Sequence, residues 1–521
     1  MKRKLIFTLT AAVFLTACMS FGTDERPSAS LTEISLPGEL RQIINKNRAA
    51  AFPPPHPNLE DIIAGYTRTG FDEEEDNRIA KIVQREIYAR LVSDNPSVIY
   101  FNFYAEAFLA HEQLAEDIDF LFDLLRHAYG GYLFFGGDDV FLPVRDAILE
   151  RLAGMDNPLE LSRFPGILVD GLADVVADNH FQMLLFAIGL APNRLHMNSE
   201  YILRRDGNGF TTEISGTTYR VLEVTPIETA PDQRFPKNTQ PPPLPSGGIM
   251  PTLTSDGELA WAFARVTRLR RQAAVEITVF LENTVTGERH SRPVSLQMTR
   301  GFFSLDSPAF AIHEAEGITV LENRNLCCCL AEDFLRSACE LRDRPILIMD
   351  LRGHTGGLET FPHDWVRIYT GHDPARSLFF ASTSNPATRT LEKFHGISIP
   401  YDDVQTQRVS GQMPIPNENL VIVLTDNSTS SAGELFVGYL RQLENVLVIG
   451  TNTSGTLLTG PVGVMFLPHS GLPVTFGTQL HLRPDLSQFE GVGFMPDLWV
   501  PPGESLERVL RFIERYGLAN K

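Results

Sequence analysis

Three short runs in the C-terminal part of the chain are apolar at almost every position, and they limit the fold more than any other feature. They are Pro-Ile-Leu-Ile-Met-Asp-Leu at 345–351, Asn-Leu-Val-Ile-Val-Leu-Thr at 419–425 and Val-Leu-Val-Ile-Gly at 446–450. A strand with one wet face alternates polar and apolar residues. A run without alternation is buried on both faces, which is the signature of a parallel sheet covered by helices. Helical patterns lie at 431–443, between the second and third runs, and at 504–515. The rhythm predicts an α/β core over 311–521 with parallel pairing.

The rest of the chain has a different texture. Residues 74–126 carry helical spacing, as in Asp-Ile-Asp-Phe-Leu-Phe-Asp-Leu-Leu-Arg at 117–126. Pro143 is expected to break the run that follows Gly136-Gly137, with further helices at 144–154 and 167–178. A helical N-terminal domain over 61–195 follows from this. From 196 to 310 short alternating runs such as Tyr-Arg-Val-Leu-Glu-Val and Ala-Val-Glu-Ile-Thr-Val-Phe-Leu predict a β-rich inserted module. The proline-rich stretch at 239–248 is expected to be an extended connection.

The chain opens with Lys2-Arg3-Lys4 and an apolar stretch, Leu5 to Leu15, too short to span a bilayer. Leu15-Thr16-Ala17-Cys18 then resembles a bacterial lipoprotein signal. Residues 1–17 are therefore expected to be removed, Cys18 to be lipidated, and polar, proline-bearing 18–60 to tether the body to a membrane of the cell envelope. No later segment is apolar enough to span a membrane. The net charge of −19 across 521 residues argues against nucleic acid and against a polybasic membrane contact. Cys327, Cys328 and Cys329 lack the spacing of a zinc knuckle. One of them bridged to Cys339, or all of them buried as thiols, are both open readings.

Chemistry concentrates in the loops after the apolar runs. Thr-Asp-Asn-Ser-Thr-Ser-Ser-Ala-Gly-Glu-Leu at 425–435 sits between a strand and a helix. A serine hydroxyl needs a base and an oxyanion site to act as a nucleophile. A helix N-terminus supplies free N–H groups, here that of Ala432. The same residues with Glu434 also fit an ordinary helix cap. In Asp-Leu-Arg-Gly-His-Thr-Gly-Gly at 350–357, Gly356 and Gly357 are candidates for a second oxyanion donor, and His354 is expected to face solvent.

Taken in order, Asp350–Gly357, Ser431–Glu434, Val448–Gly455 and Glu490–Asp497 resemble the motifs of the S41 serine peptidases. That resemblance implies a ClpP/crotonase-like core with a helical N-terminal part and an inserted module. Some peptidases hold a PDZ domain in this slot; no clear carboxylate-binding loop is visible here, so a degenerate PDZ-like module is one reading. The family register makes Ser431 the nucleophile and leaves Ser428 and Ser430 as turn residues. Thr456 stands where the processing proteases carry their lysine base, and a threonine cannot titrate usefully. The tricorn-like and chlamydial-protease-like members instead use a histidine in Asp-x-His and a glutamate before Gly-x-Gly-x-x-Pro-Asp. Those positions are His180 and Glu490. The implied activity is peptide-bond hydrolysis by Ser431, His180 and Glu490, with Gly356 or Gly357 and Ala432 as oxyanion donors and no metal or cofactor. His127, beside Tyr129-Gly130-Gly131-Tyr132, is an alternative base. The expected partners are a protein or peptide substrate and a membrane reached through the lipid anchor. The rivals are a binding lipoprotein that has lost catalysis and a hydrolase of a non-peptide ester or amide.

Overall fold

A computed structural model describes residues 36–67, 72–91, 108–183, 186–187, 193–226, 248–267, 274–299, 301–302, 307–375, 379–382, 414–487 and 489–520. The lipoprotein signal with Cys18 lies outside these residues, as does nearly all of the 239–248 connection.

The three apolar runs are adjacent parallel strands, Ile346–Asp350, Leu420–Thr425 and Val446–Gly450. All their residues are buried, which accounts for the missing alternation. Leu498–Trp499 adds a parallel strand at one side. Ile318–Asn323 adds one at the other and is hairpin-paired with Phe310–Ala315. One face of this six-stranded sheet is covered by Ala331–Glu340, Thr360–Thr370 and Ala432–Leu440, which meet through Phe334, Trp365 and Phe436. The other face is covered by Ser505–Arg515 and by Gly38–Ala51.

That last helix corrects the tether. Leu36, Leu40 and Ile44 repeat every four residues and sink into the core beside Val509 and Phe512. Arg48 donates to the carbonyls of Arg441, Leu443 and Glu444. Polar composition concealed one buried helical stripe.

The N-terminal helices are Leu59–Tyr66, Glu73–Leu91, His111–Ala128, Asp138–Ala153 and Phe164–Leu172. Pro143 does not break the pattern; it lies inside Asp138–Ala153, which runs on past it. These helices share a core with a second sheet, in which Pro473–Leu482 pairs with Thr459–Phe466, Phe379–Ser382 and Gln182–Met183. The strand directly after His180 is thereby fixed to the C-terminal half of the chain.

The inserted module is a seven-stranded antiparallel sheet beginning at Arg194–Asp206. That long strand pairs with Gly209–Ile214 at one end and with Arg289–Met298 at the other, so five of the strands form a closed ring. Among its described residues the module has no helix. Leu195, Met197, Met250 and Val266 pack on Trp499 of the core sheet.

The cysteines differ from both expectations. Cys327 is disulfide-bonded to Cys329, and Cys339 remains a thiol packed against the core.

Candidate active site

Ser431 lies at the junction of the strand Leu420–Thr425 and the helix Ala432–Leu440. Its φ is +52° and its ψ −120°, a left-handed conformation rare and costly for a residue with a Cβ. The loop that imposes it is tightly specified. Asp426 Oδ1 accepts the N–H groups of Gly353, Ser428 and Thr429 at 2.9, 3.0 and 3.1 Å. Thr429 Oγ1 donates to the Leu351 carbonyl, and the Ser430 N–H to that of His354. The loops after two neighbouring strands are thus stitched together, and Ser428 and Ser430 are turn residues. The Glu434 N–H goes to the Ser431 carbonyl and the Glu434 side chain accepts the Ser431 N–H in return, so the pair also forms the helix cap that the sequence suggested.

Gly356 is pressed against this serine: a Cβ there would lie 3.0 Å from Ser431 Cβ and 3.5 Å from its Oγ. The Gly356 N–H is engaged by His354 Nδ1 at 3.0 Å. Gly357 is held by the backbone of Leu326, whose N–H and carbonyl bond Gly356 O and Leu358 N. Among the described residues, no hydrogen bond engages the N–H of Gly357 or of Ala432. Of the expected oxyanion donors, those two are available and Gly356 is not. His354 is fully buried, contrary to the expectation that it faces solvent, and burial drives its pKa down to about 3. It is a neutral strut for the glycine turn.

The adjacent Asp350-Leu-Arg352 motif is structural as well. Asp350 is gripped by Arg352 and Arg324. Burial opposes its charge, but these two guanidinium groups overcome it and lower the pKa to about 2. Arg352 stacks on the Phe302 ring at 4.1 Å.

Glu434 accepts four hydrogen bonds. Oε1 accepts Thr453 Oγ1 at 2.6 Å and the Gly455 N–H at 2.8 Å. Oε2 accepts the N–H groups of Thr456 at 2.7 Å and Ser431 at 3.2 Å. It therefore ties the nucleophile turn to the loop where the lysine-dependent relatives place their base. Thr456 there is buried, with its hydroxyl on Ser454 Oγ at 2.6 Å.

The same loop bonds the histidine. His180 Nδ1 lies 2.6 Å from the Thr459 carbonyl, so Nδ1 holds the proton and Nε2 is the basic nitrogen. Burial lowers the imidazole pKa, against the raising effect of Asp178 and of the Thr459 bond, and keeps the ring neutral. Glu490 is next to this histidine but does not hold its ring. Its Oε1 accepts the Asn179 N–H at 2.7 Å, and its Oε2 those of Leu457 and Leu458 at 3.0 and 2.8 Å. Burial raises its pKa well above the ordinary value. The expected ring-orienting role of Glu490 is thus corrected to that of a backbone clamp: its hydrogen bonds go to three main-chain N–H groups and none goes to the ring. No hydrogen bond joins Ser431 Oγ to His180 in this conformation; the two are connected through residues 453–459. The alternative base His127 is buried on the helix His111–Ala128 and paired with Asp76, away from these loops.

Asp178 and Thr459 were not anticipated. Asp178 is part of the Asp-x-His motif, so its position was visible; the Thr459 carbonyl, a main-chain group, leaves no mark in sequence. Among the described residues, no cluster of His, Cys, Asp and Glu could hold a metal ion. No described helix is long and apolar enough to cross a membrane.

The site thus sets a half-buried serine on a strained strand–helix turn of an α/β core, beside unengaged N–H groups and a loop bearing a neutral imidazole. Residues 330–500 match the model of peptidase family S41. No curated protein matches the chain. Among solved structures it is similar to mature CPAF complexed with lactacystin, at 13% identity over 79% of this chain and 99% of that one, TM-score 0.41. It is also similar to the photosystem II D1 C-terminal processing protease, at 14% identity over 77% and 97%, TM-score 0.34. The tricorn protease matches at 14% identity over 78% of this chain and 37% of its own, TM-score 0.31.

Proposed function

We propose that the chain is an exported, lipid-anchored serine endopeptidase acting on protein or peptide substrates through Ser431 and His180. The observation that carries this reading is the Ser431 turn itself. It holds a non-glycine residue at positive φ, with a glycine turn against the hydroxyl and the Ala432 and Gly357 N–H groups unengaged. Ser431 Oγ attacks the scissile carbonyl while His180 Nε2 takes its proton. Ala432 and Gly357 donate to the oxyanion. His180 then protonates the leaving amine, and water releases the acyl group by the reverse sequence. Glu490 serves by fixing Asn179 and Leu457–Leu458, which border the imidazole. The hydrogen bond between Ser431 Oγ and His180 Nε2, which this conformation does not make, forms in the substrate complex.

The test is covalent labelling by a fluorophosphonate. Labelling of the intact chain that disappears in Ser431→Ala supports the enzyme. Absence of labelling in the intact chain supports a binding protein on this scaffold, the reading that Thr456 in the lysine position favours. The anchor rests on Leu15-Thr16-Ala17-Cys18. Cys18→Ala should release the protein from the membrane fraction; its continued sedimentation with membranes would refute lipidation at this residue.

A further inference from the structure

Three groups close a circuit around the His180 ring. Asp178 Oδ1 accepts the His180 main-chain N–H at 2.9 Å. Asp178 Oδ2 accepts Thr459 Oγ1 at 2.7 Å and Tyr129 OH at 2.9 Å. The Thr459 carbonyl in turn receives His180 Nδ1–H. The carboxylate therefore holds the histidine by its backbone and holds, by its side chain, the residue that orients the histidine's ring. Asp178 is fully buried, and its donors among the described residues are uncharged.

We propose that Asp178, and not Glu490, is the carboxylate that positions the His180 imidazole and stabilises the imidazolium formed as Ser431 loses its proton. The inference rests on the Ser431–His180 reading. No proton reaches Asp178: Nδ1–H stays on the ring, Nε2 gains the serine proton, and Asp178 supplies the opposing charge through space. Four titratable groups surround the circuit. They are Asp178 itself, Tyr129 from the end of the helix His111–Ala128, Glu490 bonded to the intervening Asn179, and His481 on the strand Pro473–Leu482. Of these, Asp178 is the charge that favours a protonated His180, while His481 is kept neutral by burial. Glu490 spends its lone pairs on three backbone N–H groups. Tyr129, whose own pKa is raised well above 10 by burial and then by Asp178, acts only as a donor to that carboxylate.

The experiment follows the rate of fluorophosphonate labelling of Ser431 in the full chain against pH, which needs no knowledge of the natural substrate. The acid limb of that profile reports protonation of His180. In Asp178→Asn the plateau should fall about 100-fold and the acid limb should move to lower pH, because the imidazolium has lost its counter-charge. In Tyr129→Phe the limb should move the other way, because the carboxylate loses a donor and its charge bears more fully on the ring. Glu490→Gln should leave the midpoint where wild type has it, whatever it does to thermal stability. A midpoint unmoved in both Asp178→Asn and Tyr129→Phe, or moved by Glu490→Gln alone, overturns the assignment. If Asp178→Asn does not fold, Tyr129→Phe decides, since a purely structural role predicts no shift to higher pH. Wild-type labelling that persists in His180→Ala would instead reject the Ser431–His180 reading itself.

Discussion

Replacing Glu434 by Gln should change how the stability of the core depends on pH. The wild-type side chain is fully buried and receives four donors, from Thr453, Gly455, Thr456 and Ser431. Those bonds favour the carboxylate, but the loss of solvent outweighs them and raises the pKa from 4.5 to about 7. The folded state thus holds this proton more tightly than the unfolded chain. The contribution is fully present below the unfolded pKa and is lost as pH rises through about 7. At 1.36 kcal/mol per unit, the loss is about 3 kcal/mol. A glutamine does not titrate. It also turns an amide NH2 toward two of the four donors, an offset of about 2–6 kcal/mol at every pH. The informative quantity is therefore the difference between the two proteins. It should move by about 3 kcal/mol in favour of Glu434→Gln between pH 4.5 and pH 7.5. Urea unfolding can be followed through Trp365, which is buried among Phe334, Tyr369 and Phe436 in the core, in chains with Trp261 and Trp499 replaced by Phe. Wild-type and variant stabilities that run parallel across that range would refute the assignment of a raised pKa to this carboxylate.

Four other substitutions probe the scaffold and the glycine turn. Arg48→Ala removes three bonds to the carbonyls of 441–444 and should cost about 2–3 kcal/mol in urea unfolding, whereas a mere tether would show no loss. Asp350→Asn leaves Arg324 and Arg352 buried beside a neutral amide and should cost about 3–5 kcal/mol at pH 7. In wild type, the depressed pKa makes this group's contribution, about 2 kcal/mol, present above pH 3.8 and lost as pH falls through about 2, which acid unfolding against the variant will show. Gly357→Ala would set a Cβ 2.4 Å from the Leu326 carbonyl oxygen and displace the oxyanion turn, so fluorophosphonate labelling should drop by about 100-fold or more. Gly353→Ala, also at positive φ but with nothing nearer than 4.0 Å, should lose about 1–2 kcal/mol of stability and keep its labelling.

What was legible in the sequence followed how each group is used. The core strands could be read because burial on both faces removes alternation from Ile346–Asp350, Leu420–Thr425 and Val446–Gly450. The barrel-like closure of the module could not, since the two ends of Arg194–Asp206 choose different partners through backbone bonds that any side chain permits. Helix Gly38–Ala51 did leave a signal, Leu36, Leu40 and Ile44, but the flanking polar and proline-rich residues outweighed it. His354 read as a turn residue facing water because nothing local reveals that Gly433 leaves room for its ring; a Cβ at 433 would lie 2.5 Å from its Nδ1. For Glu490 the position was legible and the partner was not: the sequence shows a carboxylate near a histidine, while the fold satisfies that carboxylate with main-chain N–H groups.

The loop 453–459 shows why a chain without the lysine can still assemble this kind of site. Glu434 grips its first half through Thr453, Gly455 and Thr456, and Glu490 grips its second half through Leu457 and Leu458. Asn179 donates to the Gly455 carbonyl, and Thr459 takes the His180 ring. The loop is thereby a rigid bridge, with the nucleophile turn bonded to one carboxylate and the histidine segment to the other. In a lysine-dependent enzyme the loop would present the base from its own side chain. Here Thr456 is locked against Ser454, and the loop contributes a carbonyl that sets the tautomer of His180, the base proposed from the N-terminal half. A proton acceptor placed at His180 has a cost: the proposed catalytic geometry depends on how the helical domain sits against the strand Pro473–Leu482. That dependence gives a physical reason for two bonds that fasten that domain to the strand: the Thr475 hydroxyl donates to the His180 carbonyl, and the Gly130 N–H donates to the Gly477 carbonyl.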